Sequence, residues 1–89
     1  MAKSILQEER ECWFCGATNV ECHHCIHGTS NRKNADKYGL TIWVCPMHHA
    51  NIHSDRRVDL QVIQMAQRKF EETHTREEFM AIFGKNWLD

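Results

Sequence analysis

The sequence contains no run of apolar residues that approaches membrane-spanning length, which argues against a transmembrane helix and a membrane partner. Internal repeats, low-complexity tracts and linker-like stretches are also missing, so residues 1–89 are expected to form a single domain. The chain has little excess charge, and a net charge of −1 argues at first against a nucleic-acid partner. An apolar signal stretch near the first residue is lacking too, and we therefore expect a cytoplasmic protein.

Short length and an odd number of cysteines point to metal binding. A chain of 89 residues has room for only a thin hydrophobic core, and such domains often need a disulfide or a structural metal. Five cysteines cannot all pair with one another, and several of them alternate with the seven histidines. These features favour metal ligation in a reducing compartment over a disulfide framework.

The positive charge is concentrated in the same part of the chain as most histidines. Residues 22–57 carry five basic and two acidic residues, a net charge of +3, whereas each flanking segment carries −2. The basic residues are Arg32, Lys33, Lys37, Arg56 and Arg57. A solvated charged face is one explanation, but the overlap with histidines also favours a phosphate-bearing substrate.

The hydrophobic pattern predicts a small α+β protein. Segments 20–26 and 40–45 have the β-branched and aromatic content of two short strands, and the polar segment 28–34 between them predicts the loop of a long hairpin. Pro46 is suited to open a helix. Beyond residue 55, apolar spacing predicts a helix of about four turns, and Thr75 with Glu78 predicts a capping box on a second one.

One candidate metal site contains thiolates. Cys12 and Cys15 form a C-x2-C knuckle that pairs naturally with Cys45 and His48, giving a Cys3His set. Closed, tetrahedral sets of this kind are structural Zn²⁺ sites. Cys22 and Cys25 form another C-x2-C pair and remain an alternative to Cys45 and His48.

The second candidate metal site contains only nitrogen ligands. His49 and His53 lie one turn apart on the helix that Pro46 opens, and His23 completes a three-histidine set. Three protein ligands and an open position are typical of a catalytic metal site, and the scarcity of nearby carboxylates argues against a Mg²⁺ cage. Adjacent strand residues face opposite sides, so one of His23 and His24 can hold the metal while the other stays free to deprotonate water.

These segments resemble the ββα-metal finger of HNH endonucleases, in particular the small zinc-containing phage or prophage type. The resemblance covers residues 12–55, with Glu21-Cys22-His23-His24 on the first strand and His49 and His53 on the helix. It implies that His24 is the general base and that His23, His49 and His53 hold one catalytic ion, whether Mg²⁺, Mn²⁺, Ni²⁺ or Zn²⁺. The family's middle asparagine has no counterpart in register, because residues 37–40 read Lys-Tyr-Gly-Leu.

Sequence and resemblance together predict a metal-dependent DNA endonuclease of a bacterial or phage-infected cell. The ion would neutralise the transition state, and the basic residues 32, 33, 37, 56 and 57 would hold the DNA backbone. A non-catalytic zinc module that binds DNA or a protein remains the alternative. His27 and His74 are expected to be surface histidines, and the aromatic residues are expected in the core: Trp13, Phe14, Trp43 and Trp87.

Overall fold

A computed structural model describes residues 3–88, so Met1, Ala2 and Asp89 of the predicted 1–89 domain lie outside the described residues. The elements follow one another as β1 (Glu21–His24), α1 (Thr29–Tyr38), β2 (Thr41–Val44), α2 (Pro46–Ser54), α3 (Arg56–Phe70) and α4 (Arg76–Phe83). This confirms the predicted α+β class. None of the helices within residues 3–88 is long and apolar enough to cross a lipid bilayer.

The two strands form an antiparallel pair that sets the direction of the histidine doublet. His23 pairs with Ile42 and His24 with Thr41. Because successive strand residues face opposite sides, the doublet is divided: His23 is buried at 3% exposure, and the His24 side chain is 27% exposed. Both strands were predicted, although each is shorter than the sequence pattern suggested.

The predicted loop at residues 28–34 is wrong, because helix α1 occupies this segment. Residues 29–38 have low intrinsic helix propensity, and the helix is stabilised instead by packing. Ala35 is fully buried, and the amide of Asn34 donates a hydrogen bond to the carbonyl of Ile82 on α4. Gly39 ends α1 in the left-handed conformation, where a Cβ atom would lie 2.4 Å from the carbonyl oxygen of Lys3. Tertiary contacts therefore override local preference here.

Helix α2 presents His49 and His53 on one face, as predicted. Cys45 is the N-cap residue and Pro46 occupies the first turn, where its missing N–H group is not needed. Ile52 is buried and fixes which side of the short helix faces the core. The predicted first residue of this helix is confirmed.

The C-terminal helices complete the core. Val62, Ile63, Ala66 and Phe70 are buried along α3, which confirms the predicted periodicity. The predicted capping box on α4 is present between Thr75 and Glu78, and Gly84 ends that helix.

Three of the four predicted core aromatics lie outside the core cluster, and the half-buried Trp43 has the guanidinium of Arg10 over its ring. Trp13 is 38% exposed and Phe14 42% exposed, because both lie on the cysteine knuckle outside the regular elements. Trp87 packs against the core cluster.

Candidate functional site

Cys12, Cys15, Cys45 and His48 lie close enough to hold one metal ion. Their ligand atoms are all within 4.8 Å of one another. Nδ1 of His48 lies 3.3 Å from Sγ of Cys45 and 3.6 Å from Sγ of Cys12, and Sγ of Cys15 lies 3.9 Å from Sγ of Cys45. Cys22 and Cys25, the alternative pair, belong to no potential metal-binding group among residues 3–88.

One backbone hydrogen bond ties the knuckle to strand β2, and another closes the knuckle itself. The N–H of Trp13 donates to the carbonyl of Trp43 at 2.8 Å, and the N–H of Cys12 donates to Ala17 at 2.8 Å. The ring of Phe14 stacks on the ring of His48, with centroids 5.2 Å apart. The four side chains thus come together from a turn before β1 and from the start of α2.

The pKa of Cys12 is shifted in the opposite direction from the pKa values of Cys15, Cys22 and Cys25. Burial raises the pKa of Cys12, but backbone hydrogen bonds from Cys45, Cys15 and Phe14 outweigh burial and lower the pKa to about 6. Burial raises the pKa of both Cys22 and Cys25 above the usual value. Since the thiolate is the form that ligates metals, Cys12 is prepared for this role and Cys22 and Cys25 are not.

His23, His49 and His53 form a second group whose ring nitrogens lie within 4.8 Å of one another. The ring centroids of His49 and His53 are 4.9 Å apart, and that of His23 lies 5.2 Å from the first and 5.8 Å from the second. One strand and one face of α2 supply the three imidazoles.

The buried nitrogen of His23 is the clearest sign of a ligand in this group. Its Nε2 atom is buried and has no hydrogen-bond partner among the described residues. Burial lowers the pKa of His23 to about 4, and the neighbouring charges of His49 and His53 act in the same direction. The ring is therefore neutral at neutral pH and presents a lone pair, which is what a metal ion requires.

Glu21 orients His49, a role that the sequence did not predict. Nδ1 of His49 and Oε1 of Glu21 are 2.5 Å apart. A carboxylate on one ring nitrogen leaves the other nitrogen free to bind an ion, as in carboxylate–histidine–metal arrangements. A signal was present in the sequence, because Glu21 and His23 are two residues apart on a strand and share a face.

Asp36 lies beside His24 on the other side of β1. Its Oδ1 atom is 3.6 Å from Nε2 of His24, at ion-pair distance, and is buried without a hydrogen-bond partner in the part of the chain described. The sequence did not predict this pair, because it requires α1 where a loop was expected.

The histidines surround one cavity of about 430 Å³. It is lined by Cys22, His23, His24, His27, Gly28, Arg32, His49 and His53. A neighbouring cavity of about 340 Å³ is lined by His24, Arg32, Lys33 and Asp36. His24 and Arg32 therefore lie where the two cavities meet.

The five predicted basic residues lie in three different settings. Arg32 and Lys33 line these cavities, whereas Lys37 lies over the ring of Tyr38. Arg56 and Arg57 begin α3 and form ion pairs with Asp59 and Asp55, at 3.7 Å and 3.6 Å.

The two remaining predicted surface histidines belong to neither potential metal-binding group. The ring of His74 stacks on Phe70 with centroids 4.2 Å apart, and His27 is hydrogen-bonded to Asp59. Comparison of the chain with protein-family models, with curated proteins and with solved structures found no match.

Proposed function

We propose that this protein is a metal-dependent endonuclease that hydrolyses phosphodiester bonds in DNA, with β1, β2 and α2 forming a ββα-metal finger of the HNH type. The observation that carries the proposal is the unpartnered, buried Nε2 of His23 inside a three-histidine group. A fourth histidine, His24, lines the same cavity and is not part of that group. A group of ligands with a separate base beside it is the arrangement that metal-assisted hydrolysis needs.

The Cys3His group fits a structural Zn²⁺. Three soft sulfur atoms and one imidazole nitrogen suit zinc, and the low pKa of Cys12 favours the thiolate. These ligands would fasten the N-terminal knuckle to the start of α2, which carries the catalytic histidines.

The His23, His49 and His53 group fits a divalent ion of borderline character. Imidazole nitrogens suit Zn²⁺ and Ni²⁺, whereas Mg²⁺ and Mn²⁺ generally prefer oxygen ligands. The chemistry that such an ion would supply is neutralisation of the negative charge that grows on the phosphate oxygens. Glu21 would hold the His49 ring in place, and Arg32 would add a positive charge to the cavity wall.

His24 acts as the general base in this proposal. With Asp36 beside Nε2, that nitrogen carries the hydrogen and Nδ1 keeps its lone pair. Nδ1 takes a proton from water, whose oxygen attacks phosphorus in line with the leaving 3′ oxygen. Cleavage in this sense gives a 5′-phosphate and a 3′-hydroxyl.

A non-catalytic zinc module that binds DNA or a protein is the second candidate. The exposed Trp13 and Phe14 on the cysteine knuckle favour it, because exposed aromatic side chains can serve as binding contacts. A binding module has no need for the three-histidine group, and this group is the reason that the enzyme is preferred.

Cleavage of a supercoiled plasmid tests the proposal. The purified protein is incubated with Mn²⁺, Mg²⁺, Ni²⁺ or Zn²⁺ in turn, and with a chelator that removes the exchangeable ion. We expect nicked and linear DNA with at least one ion and none with the chelator, and a parallel purification from cells that lack the protein excludes a contaminating nuclease. DNA binding without cleavage under all four ions would favour the binding module.

Glu21→Gln is expected to weaken binding of the exchangeable ion by roughly 10–100-fold, the usual cost of removing a carboxylate that orients a metal-bound histidine. Metal titration followed by calorimetry measures this affinity. Glu9→Gln provides a matched control, since Glu9 is an exposed glutamate outside the histidine group. Equal affinities of the two variants for the exchangeable ion would contradict a role of Glu21 in orienting a metal-bound histidine.

Asp36→Ala is expected to slow DNA cleavage by roughly 10–100-fold while ion affinity stays unchanged, because Asp36 contacts the base and none of the three grouped histidines. Asp36→Asn should lose less, since its amide oxygen still offers an acceptor beside Nε2. In a His24→Ala background the Asp36→Ala change should have no further effect. Additive losses of cleavage rate in the double variant would show that Asp36 does not act through His24.

A further inference from the structure

We propose that His27, held by the buried carboxylate of Asp59, is the general acid that protonates the leaving 3′ oxygen. The inference rests on the proposed endonuclease function and adds a second proton-transferring histidine to it. His27 follows β1 by three residues and lines the same cavity as His23 and His24. It belongs to neither potential metal-binding group, so its ring is not committed as a ligand.

The His27–Asp59 contact has the geometry of an oriented catalytic histidine. Nε2 of His27 lies 3.0 Å from Oδ2 and 3.1 Å from Oδ1 of Asp59. A carboxylate on one nitrogen fixes the ring, and it also stabilises the imidazolium when the ring carries a second proton, as in serine hydrolase triads. These distances are shorter than the 3.6 Å between His24 and Asp36.

The carboxylate of Asp59 is buried, and this burial is unfavourable unless the carboxylate has a partner. Its side chain is only 11% exposed in the first turn of α3. Its partners are His27 and, at 3.7 Å, the 72% exposed side chain of Arg56. The closer and less exposed partner of Asp59 is therefore His27.

The second ring nitrogen of His27 is open to a ligand. The side chain is 45% exposed, and no described residue accepts a hydrogen bond from Nδ1. A residue that only fastened the β1–α1 turn to α3 would use Nε2 in the same way, but it would not need to line the histidine cavity. His27 forms part of the wall of the cavity that a phosphodiester would enter, and Nδ1 is the ring nitrogen that Asp59 does not use.

The proposed step balances protons and electrons. A water oxygen forms a bond to phosphorus and its proton passes to Nδ1 of His24. The bond from phosphorus to the 3′ oxygen breaks, its electron pair stays on that oxygen, and the oxygen takes the proton from Nδ1 of His27. The two histidines end in the opposite protonation states and exchange protons with solvent before the next turnover.

A leaving group that needs no proton tests the proposal. Bridging sulfur replaces the 3′ oxygen at a linkage that the wild-type protein cuts, because a thiolate leaves readily without protonation. The informative variant is His27→Gln, whose amide can still donate to Asp59 but cannot supply a proton. Circular dichroism and zinc content establish that the variant is folded.

We expect His27→Gln to cut the natural linkage roughly 10²–10⁴-fold more slowly than wild type, the usual range for a positioned acid. The sulfur-containing linkage should be cut by His27→Gln at close to the wild-type rate. His24→Ala should be slow on both linkages, because water must be activated in either case. Asp59→Asn should resemble His27→Gln with a smaller loss on the natural linkage.

Equal losses on both linkages would overturn the proposal and give His27 a structural or metal-orienting role. Unchanged cleavage of the natural linkage by His27→Gln would overturn it as well. A wild-type protein that cuts neither linkage would instead contradict the endonuclease function, so the two failures are distinguishable.

Discussion

Cys12→Ser and Cys45→Ser are expected to unfold the domain and to abolish zinc binding together. Structural zinc in small domains contributes about 10–16 kcal/mol of apparent binding free energy, which is coupled to folding. Whole domains are stable by only about 5–15 kcal/mol, so loss of one of four ligands removes most or all of that margin. Far-ultraviolet circular dichroism and elemental analysis of the purified variants measure the two effects.

Cys22→Ser provides the matched control for the cysteine substitutions. Cys22 lies on β1, is partly exposed and belongs to no potential metal-binding group in residues 3–88. It should keep both its fold and one zinc ion per chain. A Cys12→Ser or Cys45→Ser variant that stays folded in the presence of a strong chelator would contradict the structural role of the Cys3His group.

The parts of the fold that the sequence predicted correctly are those in which local pattern and burial agree. His49 and His53 could be placed on one helical face because Pro46 marks the first turn and the spacing is four residues. The box at Thr75 and Glu78 is a local signature, since both hydrogen bonds form within four residues. Such features need no knowledge of the rest of the chain.

Helix α1 could not be predicted because its stability comes from distant residues. Segment 29–38 has few apolar positions, and its helix depends on the burial of Ala35 and on the Asn34 contact with Ile82, 48 residues away. The error had a consequence for the site. An extended loop gives no reason to place Asp36 beside His24, whereas the helix brings the two together.

The His27–Asp59 hydrogen bond was missed for a related reason. The two residues are 32 positions apart, and no period or spacing connects a turn after β1 with the first turn of α3. By contrast, the Cys3His group spans a similar distance but was predicted, because cysteine knuckles have a characteristic spacing. A long-range pair such as His27 and Asp59 has no characteristic spacing by which a single sequence could predict it.

His24→Ala is expected to slow DNA cleavage by roughly 10²–10⁴-fold, the usual worth of a positioned general base. Fold, zinc content and affinity for the exchangeable ion should all be retained, because His24 lies outside both potential metal-binding groups and is only partly buried. Single-turnover cleavage of a plasmid, with metal titration of the same samples, measures rate and affinity separately. Added divalent ion should not restore the rate.

Comparison with His49→Ala distinguishes loss of the general base from loss of the bound ion. It removes one of three nitrogens and leaves the Glu21 carboxylate without its ring partner, so ion affinity should fall and excess ion should restore part of the cleavage. The two variants would then lose cleavage for different reasons. His49→Ala would bind the ion more weakly, and His24→Ala would lack the group that takes a proton from water. Full activity in His24→Ala would leave the endonuclease in place and assign the base to another residue of the cavity, whereas rescue of His24→Ala by excess ion would make it a ligand.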